Sequence, residues 1–189
     1  MIMYGCATTP EITKLNGVWK YDKFSGGYLD QVMVVGKPRK DDVRIEFEDY
    51  IAKALKKRNI DAIPSYTVIP EVKDLNVENI ARTTDKAGIK AVLATKVVGV
   101  DEKNVNIPQS IAYDEIITPY GVAMRPYIEG PRVEKFIKVR LETGLFDMDL
   151  GKLIWVATST IMNPDSADEA IKDFSKVIIQ QLIKDGYIH

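Results

Sequence analysis

Cysteine and histidine are nearly missing from this sequence, which has one of each among its 189 residues. A single cysteine cannot form a disulfide within the chain, and one cysteine with one histidine is too few for a Cys/His zinc site. A Cys–His catalytic pair would require His189, the last residue, to reach Cys6. Long apolar runs are missing as well, since no stretch of about 18 apolar residues is present to span a bilayer.

The chain also lacks an excess of charge of either sign, with 26 basic and 27 acidic residues and a net charge of −1. The overall charge therefore favours neither nucleic acid nor an anionic lipid surface as a partner. Hydrophobic residues make up 46% of the chain and charged residues 28%, which is typical of a globular protein and excludes a disordered one. The length corresponds to one domain on the usual range of roughly 100–200 residues.

Sequence motifs for nucleotide binding and hydrolysis are absent. The chain has neither a phosphate-binding loop nor a Gly-x-Ser-x-Gly motif. The run Asp-Met-Asp-Leu-Gly at 147–151 resembles the start of a calcium loop. Lys152 and Leu153 follow it and supply no further ligand, so a hairpin turn is the favoured interpretation.

Paired carboxylates are the remaining candidates for acid–base chemistry. Glu46 and Glu48-Asp49 are interpreted as the solvated face of a helix, and Asp114-Glu115 lie in no apolar setting that would raise a pKa. The sequence therefore predicts no catalytic residue, no metal site and no cofactor, and hence a protein that is not an enzyme.

Basic residues form two clusters. The cluster that comes later in the chain is interpreted as the end of a helix, where cations stabilise the helix without any ligand, and RNA binding is the less favoured interpretation. The clusters are Lys37, Arg39 and Lys40, and Lys53, Lys56, Lys57 and Arg58.

Hydrophobic periodicity predicts an α/β fold: a mixed five-stranded sheet with three helices, in the order β-α-β-α-β, insertion, β-hairpin, α. Strands separated by helices imply parallel pairing, and the hairpin adds antiparallel strands. The expected elements are strands at 31–36, 62–69 and 91–100, helices at 42–58 and 77–87, strands at 133–147 and 153–161, and a final helix after 166. Asn76 and Ser166 are predicted to cap helix starts, and Asn59, Gly88 and Gly186 to end helices.

This pattern divides the chain into two parts. Residues 1–30 are polar and glycine-rich, and they are predicted to be an N-terminal tether that lays its aromatic residues on the domain. Residues 31–189 are predicted to be a single α/β domain that contains a Tyr/Pro-rich insertion at 101–132. A connection of this length is either a functional insertion or a disordered excursion.

The insertion contains the candidate partner-binding residues. Tyr113, Tyr120 and Tyr127 recur at seven-residue intervals, with Met124 between the last two. Tyrosine and methionine are enriched at protein interfaces, so we expect these four residues to contact a partner or another copy of the chain. Packing of the insertion on its own domain, and disorder, are the alternatives.

The single cysteine lies near the start of the chain, where Gly5 precedes it and Ala7-Thr8-Thr9 follow. This arrangement resembles a bacterial lipobox, in which the cysteine sulfur receives a lipid. Met3 and Tyr4 depart from the usual Leu and small residue. Five residues before Cys6 are too few for an export signal, which we expect to have been removed. The alternative is an ordinary free cysteine near a terminus.

Further resemblance comes from the run Asp147-Met148-Asp149-Leu150-Gly151-Lys152-Leu153-Ile154-Trp155 and from Gly-Ile-x-Ala-Val-Leu at 88–93. With these, the chain resembles small bacterial envelope lipoproteins whose α/β domain is similar to the TolB amino-terminal domain and the curli-channel lipoprotein. The resemblance covers roughly residues 30–186, and the long insertion departs from it. It implies a periplasmic location, a lipid anchor on Cys6, and a binding or assembly role, often in oligomers.

The expected function is therefore a non-enzymatic periplasmic lipoprotein, anchored at the outer membrane, that binds an envelope protein or its own copies. No nucleic acid is expected as a partner. The alternative is an envelope-anchored module that binds a small molecule or polysaccharide, because exposed tyrosine and tryptophan can stack on sugars.

Overall fold

The structure is a computed structural model that describes residues 12–24, 29–38, 41–119 and 121–189. Cys6 and Tyr120 lie outside the described residues. The strands are Thr13–Lys20 (β1), Gln31–Lys37 (β2), Asp61–Pro64 (β3), Ala91–Ile107 (β4), Ser110–Thr118 (β5), Gly121–Glu129 (β6), Arg132–Asp147 (β7) and Lys152–Met162 (β8). The helices are Asp41–Lys56 (α1), Val77–Ala87 (α2) and Ala167–Lys184 (α3), with short 3-10 turns at Ser65–Thr67 and Val72–Asp74.

Six strands form the main sheet in the described part of the chain, in the order β1-β8-β7-β4-β2-β3. β2 runs parallel to β3 and β4, as expected where helices connect strands. β8 runs antiparallel to both β7 and β1. The sheet is therefore mixed, and the α/β fold with three helices is confirmed.

The side chains of the central strands alternate between the two faces of this sheet, and helices pack on both faces. Val32 and Val34 of β2 pack in the larger core with residues of α1 and α3. Met33 and Val35, which point to the opposite face, pack with Ile80 of α2. α1 and α3 therefore share one face, and α2 covers part of the other, which we call the α2 face.

The predicted count of five strands is wrong, because β1 adds a sixth. It pairs along β8 from Thr13 opposite Ile161 to Lys20 opposite Trp155. Most of its side chains are exposed, so the segment has too few buried positions to show the apolar alternation of a strand. Its partner lies more than 130 residues away, beyond the reach of a local pattern.

The second predicted strand, 62–69, is also too long. β3 ends at Pro64, and the chain turns at Ser65, whose carbonyl accepts hydrogen bonds from the backbone N–H groups of Val68 and Ile69. The side chain of Glu48 accepts the Tyr66 N–H at 2.8 Å. This hydrogen bond to a residue of α1 thus takes the place of the backbone hydrogen bonds that would extend the strand.

Residues 101–132 form strands, which the sequence did not predict there. β4 continues to Ile107, β7 begins at Arg132, and β5 and β6 lie between them. The described residues divide into two compact units, one up to Val100 together with Lys138–His189, the other Asp101–Ile137. Proline obscured the strand pattern, yet Pro126 lies within β6, a position tolerated in strands that lack a neighbour on one side.

The predicted helix ends are confirmed. The side chains of Asn76 and Ser166 accept the N–H groups of Asn79 and Glu169. Asn59, Gly88 and Gly186 have φ of 62°, 67° and 81°, the left-handed conformation that ends helices.

At the end of α3, Asp185 joins three elements. It accepts hydrogen bonds from Trp155 Nε1 at 2.9 Å, Gln181 Nε2 at 2.9 Å and Lys20 Nζ at 3.1 Å. Burial by itself would raise the pKa of Asp185, but these hydrogen bonds and the Lys20 charge outweigh it, so the pKa lies below its ordinary value.

We expect Asp185→Asn to lower the free energy of unfolding by about 1 kcal/mol at pH 7. Because the folded-state pKa is depressed, the carboxylate stabilises the fold above the unfolded pKa of about 3.9, and this contribution is lost as the pH falls through the lower folded-state value. Urea unfolding at pH 7 and pH 3 should show the difference from wild type shrinking at acid pH. Asp22→Asn, at an exposed carboxylate, is the control, and a constant difference for Asp185→Asn would contradict the assignment.

Candidate functional site

The candidate site is the β5–β6 hairpin, which forms a two-stranded sheet of its own among the described residues. The strands pair antiparallel from Ser110 opposite Glu129 to Thr118 opposite Gly121. At the turn, the Thr118 hydroxyl donates to the Gly121 carbonyl at 2.8 Å, and Gly121 has φ of 122°. An isolated two-stranded hairpin is only marginally stable in water. A function of its side chains would account for its presence.

The register assigns each side chain to one of two faces, because directly opposite residues share a face and neighbours along a strand alternate. Ile111 is opposite Ile128, Tyr113 opposite Pro126, and Ile117 opposite Val122. Met124 is opposite Glu115. We call this set the apolar face, and Glu115 is its one charged residue.

The large apolar residues of this face are all well exposed. Ile117 is 93% exposed, Ile128 69% and Met124 58%. Ile111, Tyr113 and Val122 are also exposed. Contiguous apolar surface of this kind marks interaction sites in soluble proteins.

The opposite face of the hairpin is mixed, with Ile116 opposite Ala123 and charged residues beside them. Asp114 and Arg125 lie directly opposite each other and form an ion pair at 3.0 Å. Tyr127 lies on this face, opposite Ala112. Asp114 and Glu115 are neighbours on one strand and point to opposite faces, so they do not form a carboxylate pair.

The structure therefore brings together two of the four predicted partner-binding residues. Tyr113 and Met124 share the apolar face, and Tyr127 lies on the other face. The aliphatic residues that complete the apolar face, Ile111, Ile117, Val122 and Ile128, were not among the predicted site residues. Their signal was available in the alternation Ile111-x-Tyr113-x-Glu115-x-Ile117, which is the period of a strand with one apolar face.

Charged groups cluster at the open end of the hairpin. Arg132 bonds Glu129 at 2.6 Å and Glu134 at 2.7 Å, and these hydrogen bonds raise the pKa of Arg132. Lys135 and Glu102 form a further ion pair at 2.7 Å. These exposed pairs orient the chain beside the hairpin and contribute little to stability.

The interpretation of Glu48 as part of a solvated helix face is wrong. Its side chain is 0% exposed and pairs with Arg44, one helical turn earlier, at 3.0 Å between Nε and Oε1. The Ser65 hydroxyl donates to the same oxygen at 2.7 Å, and the Gly36 N–H at 2.9 Å. These hydrogen bonds connect α1 to β2 and to the Ser65 turn, and the buried carboxylate is closed to solvent.

The Asp147–Gly151 run forms the predicted hairpin turn. Asp147 Oδ1 accepts the Leu150 N–H at 2.8 Å, and Gly151 has φ of 60°. Asp149 pairs with Lys90 at 3.4 Å. No group of three or more possible metal-ligating side chains occurs among the described residues.

The unit that contains the main sheet has a groove and a smaller cavity of note. A groove of about 690 Å³ runs between α1 and α3. A smaller cavity of about 220 Å³ lies on the α2 face and is lined by apolar residues that include Ile80, Phe146 and Val156. No helix in the described part of the chain is long and apolar enough to cross a membrane.

No known protein family matches this sequence, and no curated protein matches it. Among solved structures, the chain is similar to PelC dodecamers from Paraburkholderia phytofirmans. One has 14% identity and a TM-score of 0.49 over 86% of this chain and 94% of that chain. A second crystal form has 14% identity and a TM-score of 0.47 over 92% and 98%. Lipoprotein GNA1162 from Neisseria meningitidis has 13% identity and a TM-score of 0.44 over 82% and 98%. At such identities a common function does not follow.

Proposed function

We propose that this chain is a non-enzymatic lipoprotein of the bacterial cell envelope, lipid-anchored through Cys6 on the periplasmic face of the outer membrane, that assembles with other copies of itself. The observation that carries the proposal is the exposed apolar face of the β5–β6 hairpin. The sequence around Cys6 supports the anchor.

A second copy of the chain is the occupant that fits the apolar face best. Glu115 is the one charge on that face, so the face offers little charge pattern that would select a different partner. An apolar face can also pack against the same face of a second copy, and twofold self-contacts of this kind are the commonest in soluble oligomers. Contact with a second copy would add buried area to a hairpin that is marginal alone.

The test compares one charge on each face of the hairpin. Met124→Lys introduces a cation on the apolar face, opposite Glu115, which preserves the strand pairing by a cross-strand ion pair. Tyr127→Lys introduces the same cation three residues along on the opposite face. We expect Met124→Lys to weaken self-association by roughly 30-fold or more, as loss of an interface hot spot does, and Tyr127→Lys to leave it nearly unchanged. Light scattering after size exclusion over a concentration series measures both.

Two results would contradict self-assembly through this face: a wild-type chain that is monomeric at every concentration, or Tyr127→Lys disrupting the oligomer as strongly as Met124→Lys. A strict monomer whose melting temperature rises with oligosaccharide would favour the alternative, a small-molecule or polysaccharide-binding module. One observation supports that alternative: Trp19 is 50% exposed and lies opposite Val156, on the α2 face of the main sheet.

A further inference from the structure

Glu115 interrupts the apolar face of the β5–β6 hairpin. It is exposed and lies directly opposite Met124. Four pairs of opposite residues make up this face, and the pair of Glu115 and Met124 is the third of them from the open end. The pairs on either side of it are Tyr113 with Pro126 and Ile117 with Val122. A carboxylate therefore has apolar neighbours in both directions along the hairpin.

The Glu115 carboxylate has no counter-charge on this face. It forms no ion pair and no hydrogen bond with the described residues. Arg125 is the one basic residue of the two strands, and it lies on the opposite face in its ion pair with Asp114. The other titratable residue of the apolar face is Tyr113, whose phenol is neutral below about pH 10.

The remaining basic residues of the unit Asp101–Ile137 do not pair with Glu115 either. Arg132 binds Glu129 and Glu134, and Lys135 binds Glu102. Lys103 is exposed and forms no ion pair with the described residues. Glu115 is therefore a carboxylate without a counter-charge within an otherwise apolar face.

A contact between the apolar faces of two copies gives Glu115 no counter-charge. This step rests on the proposed function, self-assembly through that face. The second copy presents the same residues, so the charge that it adds is another Glu115 carboxylate. Burial disfavours the charged form of a carboxyl group, and two carboxylates repel each other. Ionised Glu115 therefore weakens the contact, whereas neutral Glu115 can be buried there and donate a hydrogen bond.

We infer that Glu115 sets the strength of self-association, and that its protonation makes the chain assemble more tightly in acid. Because the assembled form favours the neutral carboxyl group, association takes up protons, and the Kd falls as the pH falls. This gain is lost again as the pH rises and Glu115 ionises. At neutral pH the same carboxylate limits association through the apolar face, as charged residues within apolar strands do in other proteins.

The test measures self-association by sedimentation equilibrium at pH 8 and pH 5. Every chain carries Cys6→Ser, so that neither a lipid nor an intermolecular disulfide contributes. With Glu115 in place, the Kd should fall by roughly 10-fold or more from pH 8 to pH 5, the effect of a one-unit change in a single protonation equilibrium. Glu115→Gln should associate at pH 8 about as tightly as the parent chain does at pH 5. Its Kd should change with pH by no more than about threefold, since an amide does not titrate.

Asp114→Asn is the matched control. It removes a carboxylate from the neighbouring position of β5, on the opposite face of the hairpin, and changes the net charge by the same amount. The ion pair that it breaks is exposed, so the cost to the fold is small. We expect this variant to keep the parent chain's dependence on pH, which separates Glu115 from the general loss of net charge near the isoelectric point.

The inference is overturned if Glu115→Gln associates no more tightly than the parent chain at pH 8, if it keeps the parent chain's dependence on pH, or if Asp114→Asn has the same effect. Self-assembly through the apolar face is measured separately, by the loss of association in Met124→Lys, and would survive any of these results. A parent chain and a Glu115→Gln variant that are both monomeric at pH 8 and pH 5 would contradict the inference and the proposed function together.

Discussion

Glu48→Gln should lower the free energy of unfolding by about 3–5 kcal/mol, because it removes one partner of a buried ion pair. Arg44 and Glu48 have side chains 2% and 0% exposed. The neutral amide leaves the Arg44 guanidinium without its counter-charge. The NH2 group of the amide also takes the place of one carboxylate oxygen. That oxygen is either the one that accepts hydrogen bonds from Arg44, Ser65 and Gly36 or the one that accepts the Tyr66 N–H, so donors then face donors.

The other hydrogen bonds of Arg44 explain why the loss of unfolding free energy should be large for a single substitution. Its Nη1 donates to the Pro70 carbonyl at 3.1 Å, and its Nη2 donates to Ser65 Oγ at 2.9 Å and the Ile69 carbonyl at 2.8 Å. The ion pair therefore also satisfies buried backbone groups, which cost free energy when left unpaired. Gly36 permits this packing, because a Cβ there would lie 2.7 Å from Phe47 Cδ1.

Urea unfolding at pH 7 measures this change, and the chain offers a matched control. Glu142 pairs with Lys96 at 2.7 Å, with side chains 42% and 55% exposed. Glu142→Gln should cost no more than about 1 kcal/mol, as exposed ion pairs do. If Glu48→Gln cost no more than Glu142→Gln, the Arg44–Glu48 pair would not be a structural centre of the fold.

Trp155→Ala should lower the free energy of unfolding by about 3–5 kcal/mol, the usual cost of truncating a large core side chain to alanine. Trp155 is 0% exposed and packs in the core formed with α1 and α3. Its loss opens a cavity and also removes the indole N–H that donates to Asp185.

The control for Trp155 is the other tryptophan of the chain. Trp19 lies opposite Val156, one position along β8 from Trp155, and therefore points to the opposite face of the sheet. Because Trp19 is 50% exposed, we expect Trp19→Ala to cost about 1 kcal/mol or less. Chemical unfolding of both variants measures the difference, and equal losses would show that the faces of β8 have been assigned wrongly.

Glu48 shows how far sequence reasoning reached at a buried site. Its burial was predictable in part, because Arg44, Glu48, Ile51 and Leu55 share one stripe of α1 at spacings of four, three and four. The identity of its other partners was not predictable. Ser65 and Tyr66 follow Glu48 by 17 and 18 residues, and only the packing of α1 against the end of β3 brings them together.

The hairpin shows the same division at the candidate functional site. The apolar character of the insertion and the presence of Tyr113 and Met124 were visible in the sequence. Alternation along β6 by itself separates Tyr127 from Met124, but the shared face of Tyr113 and Met124 depends on the register of β5 against β6. A shift of one residue in this pairing would place Tyr113 and Met124 on opposite faces, and the register is set by the geometry of the turn that joins the two strands.

The sequence by itself determined the features that are stabilised by interactions between residues close together in the chain. The helices and their ends follow from apolar spacing and from caps such as Asn76, Ser166 and Gly88, which act on backbone groups within a few residues. The tertiary structure alone decided the features that depend on distant partners: the pairing of β1 with β8, the contacts of Glu48 with Ser65 and Tyr66, and the groove that Lys53 and Lys176 both line. These features arise from contacts that form only when the whole sheet and its helices pack. No short segment of the chain therefore contains the residues that stabilise them.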